Sequence, residues 1–314
     1  MRLVFFGTPP FARTILEYLI QNGADIVAVV TKPDKPVGRS ATPAPSAVKQ
    51  CALEHHLPLF QPVKASDPAF LDAYLKPLQA DLYIVAAYSE ILKENILATP
   101  RFGCINVHAS LLPKYRGAAP IQRCILDGEL ASGVTIMAMD VGLDTGGMLD
   151  QVIVPITEDM TAGELSKELS IRGAEALWKV LQQVEKGEAN ATPQPSQSLP
   201  YAKKLKPEEG EIDWKRTSDQ IYRQFRAMTP KPGAWCKVTL RGESKRLMIR
   251  AARQCSNVQA PAGTVLAHAG YPLVVACSQG ALALLEVQLE GKKNLDARVF
   301  LNGITLDQLK FLTS

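Results

Sequence analysis

The sequence predicts an α/β protein: a mainly parallel, Rossmann-like sheet with its helices, followed by a smaller β-barrel domain. Three observations predict it. The chain opens with an apolar run, an amphipathic stretch and a second apolar run, the pattern of a β-α-β unit. Further apolar runs of strand length follow to about residue 154, most of them ending in polar loops that carry Gly or Pro. After a polar, proline-rich stretch at 187–207, five short strands alternate with turns, as in a small barrel.

Leu3-Val-Phe-Phe6 reads as a compact buried strand and Ile26-Val-Ala-Val-Val30 as the second. Between them, residues 8–20 open with a cap residue and prolines, then place Ile15, Leu16, Leu19 and Ile20 at helical spacing. Such a unit implies parallel pairing through a right-handed crossover. Its first turn, Gly7-Thr-Pro-Pro-Phe-Ala12, lacks G-x-G-x-x-G, which argues against a nicotinamide dehydrogenase. Residues 31–46 read as a long loop holding Lys32, Lys35 and Arg39 among four prolines. A helix is expected over 46–55, where the adjacent His55 and His56 face different directions and make a poor metal pair. Residues 81–92 form a buried strand passing into a loop, 120–126 a helix, and 134–139 and 148–154 strands. Residues 161–183 form a long amphipathic helix with Thr161 and Glu164 spaced as a capping box. Later, a helix over 217–228 precedes strands near 234–240, 247–251, 263–267, 273–276 and 281–287.

A chain of 314 residues allows about two domains, and 46% hydrophobic with 21% charged residues is a globular composition. No stretch approaches the roughly 20 apolar residues of a membrane span, and Gly7 and Pro9-Pro10 end the opening apolar run before a signal-peptide core is complete. Six scattered cysteines without a C-x-x-C pair indicate neither a zinc site nor a disulfide framework, so a reducing cytosol fits best. Charge is uneven. Residues 1–190 carry 17 Lys+Arg against 21 Asp+Glu, whereas 191–314 carry 18 against 10. A basic second half is a plausible polyanion grip or simply a solvated surface, and charge alone leaves both open.

The chemistry is expected at residues 104–122. Strict alternation along Cys104-Ile-Asn-Val-His108 puts Asn106 and His108 on one face of a strand, about 7 Å apart. An amide that can donate to a developing oxyanion, beside an imidazole that can move a proton, suits acyl transfer or hydrolysis. Equally, an Asn near a turn can merely satisfy backbone, and a lone His is often structural. Downstream, Asp140 follows a strand and Asp144 lies inside Gly142-Leu-Asp-Thr-Gly146, where glycines are expected to supply φ > 0 and close approach to a ligand. An ordinary turn uses the same residues.

Asn106-Val-His108, Ser110-Leu-Leu-Pro113, Tyr115-Arg-Gly-Ala-Ala-Pro-Ile-Gln122 and Asp140-Val-Gly-Leu-Asp-Thr-Gly146 together resemble the signature of the folate-dependent formyltransferases. Within them the likeness is to the branch that acts on aminoacylated tRNA, and it extends through Phe6-Gly-Thr-Pro-Pro-Phe-Ala12, residues 31–39, Glu211-Ile-Asp-Trp214 and Phe300-Leu-Asn-Gly303. The resemblance implies a Rossmann-like formyltransferase domain over 1–188, a linker over 189–207 and an OB-like, tRNA-binding barrel over 208–314. It implies transfer of the formyl group of 10-formyltetrahydrofolate to the α-amine of methionine on initiator tRNA, without a metal, by a monomer with no membrane attachment. Asn106, His108 and Asp144 would be the catalytic trio. Ser110, Leu111, Leu112, Pro113, Tyr88, Ile91, Leu92 and Asp140 would form the folate site. Ser89 and Lys93 stand where the family more often carries Gly and Pro. Lys35 and Arg39 in the basic loop would reach the acceptor end of the tRNA, with Arg223, Arg226, Lys245 and Arg246 as contacts on the barrel domain. Amino-sugar nucleotide and glycinamide-ribonucleotide formyltransferases share the core, as would an inactive tRNA-binding relative.

Overall fold

Strand β1 (Arg2–Gly7) is buried from Leu3 to Gly7, as an unbroken apolar run covered on both faces must be. In the computed structural model, which describes residues 1–36, 43–196, 199, 201–255 and 257–312, β1 lies parallel to β2 (Asp25–Val30). Helix α1 (Pro10–Gln21) joins them, starting on a proline and burying Phe11, Ala12, Ile15, Leu16 and Leu19. Gly7 has no alternative: a Cβ there would lie 2.6 Å from the Ala12 Cβ and 3.1 Å from the Ala86 carbonyl. The expected loop 31–46 contains a two-residue ladder, β3 (Lys35–Pro36) against β4 (Pro43–Ala44). Residues 37–42, including Arg39, lie outside the described residues. Helix α2 (Ala47–Glu54) follows, its N-cap Ser46 accepting from the Lys49 amide.

Strands β5 (Leu59–Phe60), β6 (Leu82–Ala86), β7 (Cys104–His108), β8 (Ala131–Ala138) and β9 (Met148–Pro155) complete a seven-stranded sheet of order β5-β2-β1-β6-β7-β8-β9. Pairing is parallel through β7, and β8 and β9 are antiparallel. The mainly parallel sheet is therefore as expected, and β7 is the strand at which the sense of pairing changes. Between β5 and β7 lie two short helices, α3 (Pro68–Phe70) and α4 (Glu94–Leu97). Helix α5 (Pro120–Leu126) precedes β8, and α6 (Ala162–Lys186) follows β9. Gly173 brings α6 onto the sheet, since a Cβ there would stand 3.0 Å from Val107 and 3.2 Å from Val134. The Thr161–Glu164 capping box is present, and its hydrogen bonds hold the Glu164 carboxyl below the usual carboxylate range.

Two compact units divide the chain: Met1–Pro120 with Ala131–Pro155 and Ser166–Lys203, and Ile121–Leu130 with Ile156–Leu165 and Lys204–Ser314. Within the stretch 189–207, read as linker, Thr192 and Ala202 are both hydrogen-bonded to other segments of the first unit. Thr192 exchanges both backbone hydrogen bonds with Met148 at 2.8 Å, and Ala202 pairs with Gly117.

The second unit carries helix α7 (Ser218–Met228), opened by a Thr217–Gln220 capping box, and an antiparallel, nearly closed OB-like barrel. Its strands are β10 (Ala234–Leu240), β11 (Glu243–Cys255), β12 (Val265–His268), β13 (Tyr271–Ala276), β14 (Ala281–Leu289), β15 (Leu295–Asp296) and β16 (Leu309–Phe311). The five strands expected become seven. Strand β11 starts four residues earlier than the apolar pattern shows, because Arg241 and Gly242, at φ of +51° and +85°, make a two-residue hairpin turn. Both β15 and β16 are too short for their alternation to register. The barrel closes on Trp214, fully buried and edge-on to Phe311 at 5.4 Å. A short helix, α8 (Ala297–Phe300), packs on β13 and β14. All six cysteines are buried and unbridged; burial pushes the thiols of Cys51, Cys104 and Cys277 up to about 11, 12 and 12. No helix among the described residues is long and apolar enough to cross a membrane.

Candidate active site

Strand β7 is held from both sides, by Tyr83, Ile84 and Val85 of β6 and by Thr135 to Ala138 of β8. That pairing fixes its pleat, so Asn106 and His108 share a face. Asp144 lies across from both. The Asn106 Nδ2 reaches within 3.5 Å of Asp144 Oδ1, and the His108 Nδ1 lies 3.7 Å from Asp144 Oδ2. The other imidazole nitrogen, Nε2, is 3.0 Å from the Tyr115 carbonyl. A carbonyl only accepts, so Nε2 carries the hydrogen there and Nδ1 is left facing the carboxylate. Asp144 Oδ2 also accepts the Gly117 amide hydrogen at 2.8 Å. The side chains of His108 and Asp144 are only 7% and 14% exposed, so these groups meet with little water between them. All three residues singled out from the sequence come together.

The loop that carries Asp144 is shaped by Asp140. Its Oδ1 accepts from the Gly142 amide at 3.0 Å and the Thr145 hydroxyl at 2.7 Å. Contrary to expectation, the glycines do not supply the positive φ: Asp144 itself does, at +55°, and Gly142, Gly146 and Gly147 do not. Glycine is needed for space. A Cβ would lie 1.9 Å from the Thr145 hydroxyl at Gly142 and 1.8 Å from the Ala138 carbonyl at Gly146.

Residues 110–113 are tied down by two side chains that sequence reasoning did not single out. The Thr135 hydroxyl donates to the Ser110 carbonyl at 2.7 Å and accepts from the Leu112 amide at 3.1 Å and from Gln151 Nε2 at 2.9 Å. One donor and two lone pairs are thus all engaged. Gln151 also donates to the Leu112 carbonyl at 3.0 Å. Ser110 is buried and its hydroxyl donates to the Lys114 carbonyl. Leu111 packs onto Gly133, Leu112 is buried, and the Leu112-Pro113 bond is cis.

Tyr88 and Leu92 lie in the cluster that includes Val4, Phe6 and Tyr83, and Ile91 is 68% exposed. The Tyr88 hydroxyl is buried without a hydrogen-bond partner among the described residues, and burial raises its phenol. Lys32 sits 4.7 Å over the Tyr88 ring and pairs with Glu90. Ser89 has φ of +64°, the left-handed region that glycine adopts without strain.

Among the basic residues, Lys35 is exposed on β3. Arg223 pairs with Asp219 one helical turn away and lies against Gly128. Arg226 faces inwards instead of towards solvent. It is 9% exposed, its Nη1 donates to the carbonyls of Thr157 and Met160, and burial lowers its pKa. Lys245 pairs with Glu243 at 2.7 Å, and the Arg246 guanidinium stacks 3.9 Å from the Trp235 ring centroid. Arg246 and Trp235 line a cleft of about 340 Å³ with Lys237 and Met248.

A Rossmann-like sheet presenting an amide, an imidazole and a carboxylate at one strand end, followed by a barrel, defines the formyl transferase class. The profile described as formyl transferase matches residues 1–181, and that described as formyl transferase, C-terminal domain, matches residues 204–305. The methionyl-tRNA formyltransferase of Chlamydia caviae is 46% identical over 313 residues, covering 99% of this chain and 97% of that protein. The chain belongs to the methionyl-tRNA formyltransferase family, whose members are formyl-transferring enzymes. Among solved structures, HypX from Aquifex aeolicus with tetrahydrofolic acid superposes with a TM-score of 0.68 at 17% identity, over 96% of this chain and 47% of HypX. An N-formyltransferase from Helicobacter canadensis, solved with folinic acid and dTDP-3-aminofucose, gives 0.66 at 23% identity over 90% and 98%. At those identities the likeness is one of fold.

Proposed function

We propose that this chain transfers the formyl group of 10-formyltetrahydrofolate to the α-amino group of methionyl-initiator tRNA in the cytoplasm, giving the N-formylmethionyl-tRNA that starts translation. The observation that carries it is Asp144, placed between the Asn106 amide and the His108 imidazole at the end of β7. The donor set fits an acyl donor. Asn106 Nδ2 bears two hydrogens and only one can point at Asp144, which leaves the other for a formyl oxygen. Bound there, the folate supplies a carbonyl carbon already attached to a nitrogen leaving group.

Asn106, through that second hydrogen, stabilises the oxygen as it takes up charge under attack by the amine, and His108, anchored at Nε2 by the Tyr115 carbonyl, turns Nδ1 towards Asp144 for proton transfer. Asp144, facing the His108 Nδ1, helps carry the amine proton towards the departing nitrogen. Ser110–Pro113, fixed by Thr135 and Gln151, wall the folate, with Tyr88, Ile91 and Leu92 beside them. Asp140 serves it by shaping the Asp144 loop. The acceptor assignment is supported by the names of the close relatives and by the basic second half of the chain, where Lys245 and Arg246 are the first candidates for phosphate contact, with Arg223 from the helix and Lys35 and Arg39 from the loop; Arg226, buried against the carbonyls of Thr157 and Met160, drops out of that set.

The test is transfer from 10-formyltetrahydrofolate to methionyl-initiator tRNA, with free methionine and an amino-sugar nucleotide as parallel acceptors at two salt concentrations. Transfer to the charged tRNA alone, weakening as salt rises, is the expected result. Transfer to the sugar nucleotide would keep the trio and discard the tRNA as acceptor.

A further inference from the structure

Asp144 must be held in a left-handed conformation that a non-glycine residue adopts only under support from its surroundings. Two supports come from Gln194 and Ala202. Gln194 Nε2 donates to the backbone carbonyls of Asp144 at 2.9 Å and Gly146 at 2.8 Å. Its Oε1 accepts from Arg116 Nε at 3.0 Å and Nη2 at 2.7 Å. Both donors and both lone pairs of the amide are used, which locks its orientation. Ala202 supplies the second support. It accepts from the amides of Ala118 and Ala119 and donates to the Arg116 carbonyl, fixing the segment whose Gly117 amide reaches the Asp144 carboxylate. Gln194 therefore grips Asp144 by its backbone, and Ala202, through Gly117, by its side chain.

We propose that Gln194 is a positioning residue for formyl transfer: it sets the Asp144 loop so that the carboxylate meets Asn106 and His108 together. This rests on Asp144 acting in the reaction as proposed above. A carboxylate misplaced by about 1 Å loses the shared geometry, a displacement of the size that costs about 10²-fold in rate.

The experiment compares Gln194→Ala, Gln194→Glu and Asp144→Asn in the full chain, reading kcat, KM for each substrate and the thermal midpoint. Gln194→Glu keeps an acceptor for Arg116 but turns a carboxylate onto the carbonyls of Asp144 and Gly146. Both Gln194 variants are expected to lose about 10- to 100-fold in kcat, with each KM within about twofold and the midpoint little changed. Near-normal kcat for Gln194→Glu would overturn the proposal, since the residue would then act only through Arg116. A loss that appears solely as a lower midpoint, with normal kcat in the folded fraction, would overturn it as well. Asp144→Asn separates the two readings: if it is slow while both Gln194 variants are normal, only the role of Gln194 falls. Should Asp144→Asn run at a normal rate, the assignment of Asp144 falls, and with it the reason to position it.

Discussion

Gly146 faces the carbonyl of Ala138 so closely that a Cβ on it would lie 1.8 Å from the oxygen. Nothing in that position can yield cheaply, because Ala138 ends β8 and its amide is bonded to the Gly147 carbonyl at 2.9 Å. Gly146→Ala is therefore expected to move the Asp144 loop and to lower kcat by at least about 10²-fold. Steady-state kinetics checks this. A rate within about threefold of the parent would mean that the loop absorbs a methyl without displacing Asp144.

Asn106→Ala is expected to lower kcat by about 10²- to 10³-fold with the fold kept, the range for loss of one oxyanion donor. Asn106→Asp should be slower still, because a second carboxylate would face Asp144 within 4 Å or so and repel it. Circular dichroism beside single-turnover rates distinguishes a chemical defect from a folding one. Equal rates for the two variants would remove the argument from charge.

Ser89 is exposed and left-handed, so its Cβ stores strain that glycine would not. Replacing it by Gly is expected to raise the unfolding free energy by about 0.5–1 kcal/mol, the strain relieved less the extra entropy of the unfolded chain. Urea denaturation reads this directly. A lower midpoint would show that the serine is held by something other than local conformation.

In the second unit, Arg123 holds Glu209 with both nitrogens, at 2.6 and 3.1 Å, and these bonds lower the glutamate's pKa. A carboxylate whose folded pKa lies below its unfolded one stabilises above the unfolded value, and that contribution disappears as pH falls through the folded pKa. The pair is partly solvent-screened, so Glu209→Gln should cost no more than about 1 kcal/mol at pH 7. The gap between variant and parent should narrow as pH falls from the ordinary glutamate value, about 4.3, through the lower folded pKa, below which the glutamate is as neutral as the glutamine. A gap that stays constant with pH would assign the effect to packing.

Much of this was legible in the sequence because it depends on period. The alternation along Cys104-Ile-Asn-Val-His108 gave the shared face of Asn106 and His108, and the β-α-β opening gave parallel pairing. Asp144 needed the resemblance, since a carboxylate among glycines is also what a plain turn contains. Gln194 was invisible for a physical reason: it acts through hydrogen bonds to backbone 50 and 48 residues away, from a proline-rich stretch whose composition is that of a tether. Arg226 misled in the opposite way. On a helix, a cation reads as solvent-facing, and only the fold brings the carbonyls of Thr157 and Met160 to its guanidinium. The role of the glycines was inverted, because spacing in a sequence records that a Cβ is absent but not whether conformation or crowding removed it.

The buried cysteines carry a practical consequence. Every thiol is enclosed, and those of Cys51, Cys104 and Cys277, pushed to about 11, 12 and 12, carry almost no thiolate at neutral pH to meet an alkylating reagent. A single cysteine introduced on the surface would be the only fast-reacting one, so a fluorophore or spin label could be attached to the otherwise native chain without first removing the other six.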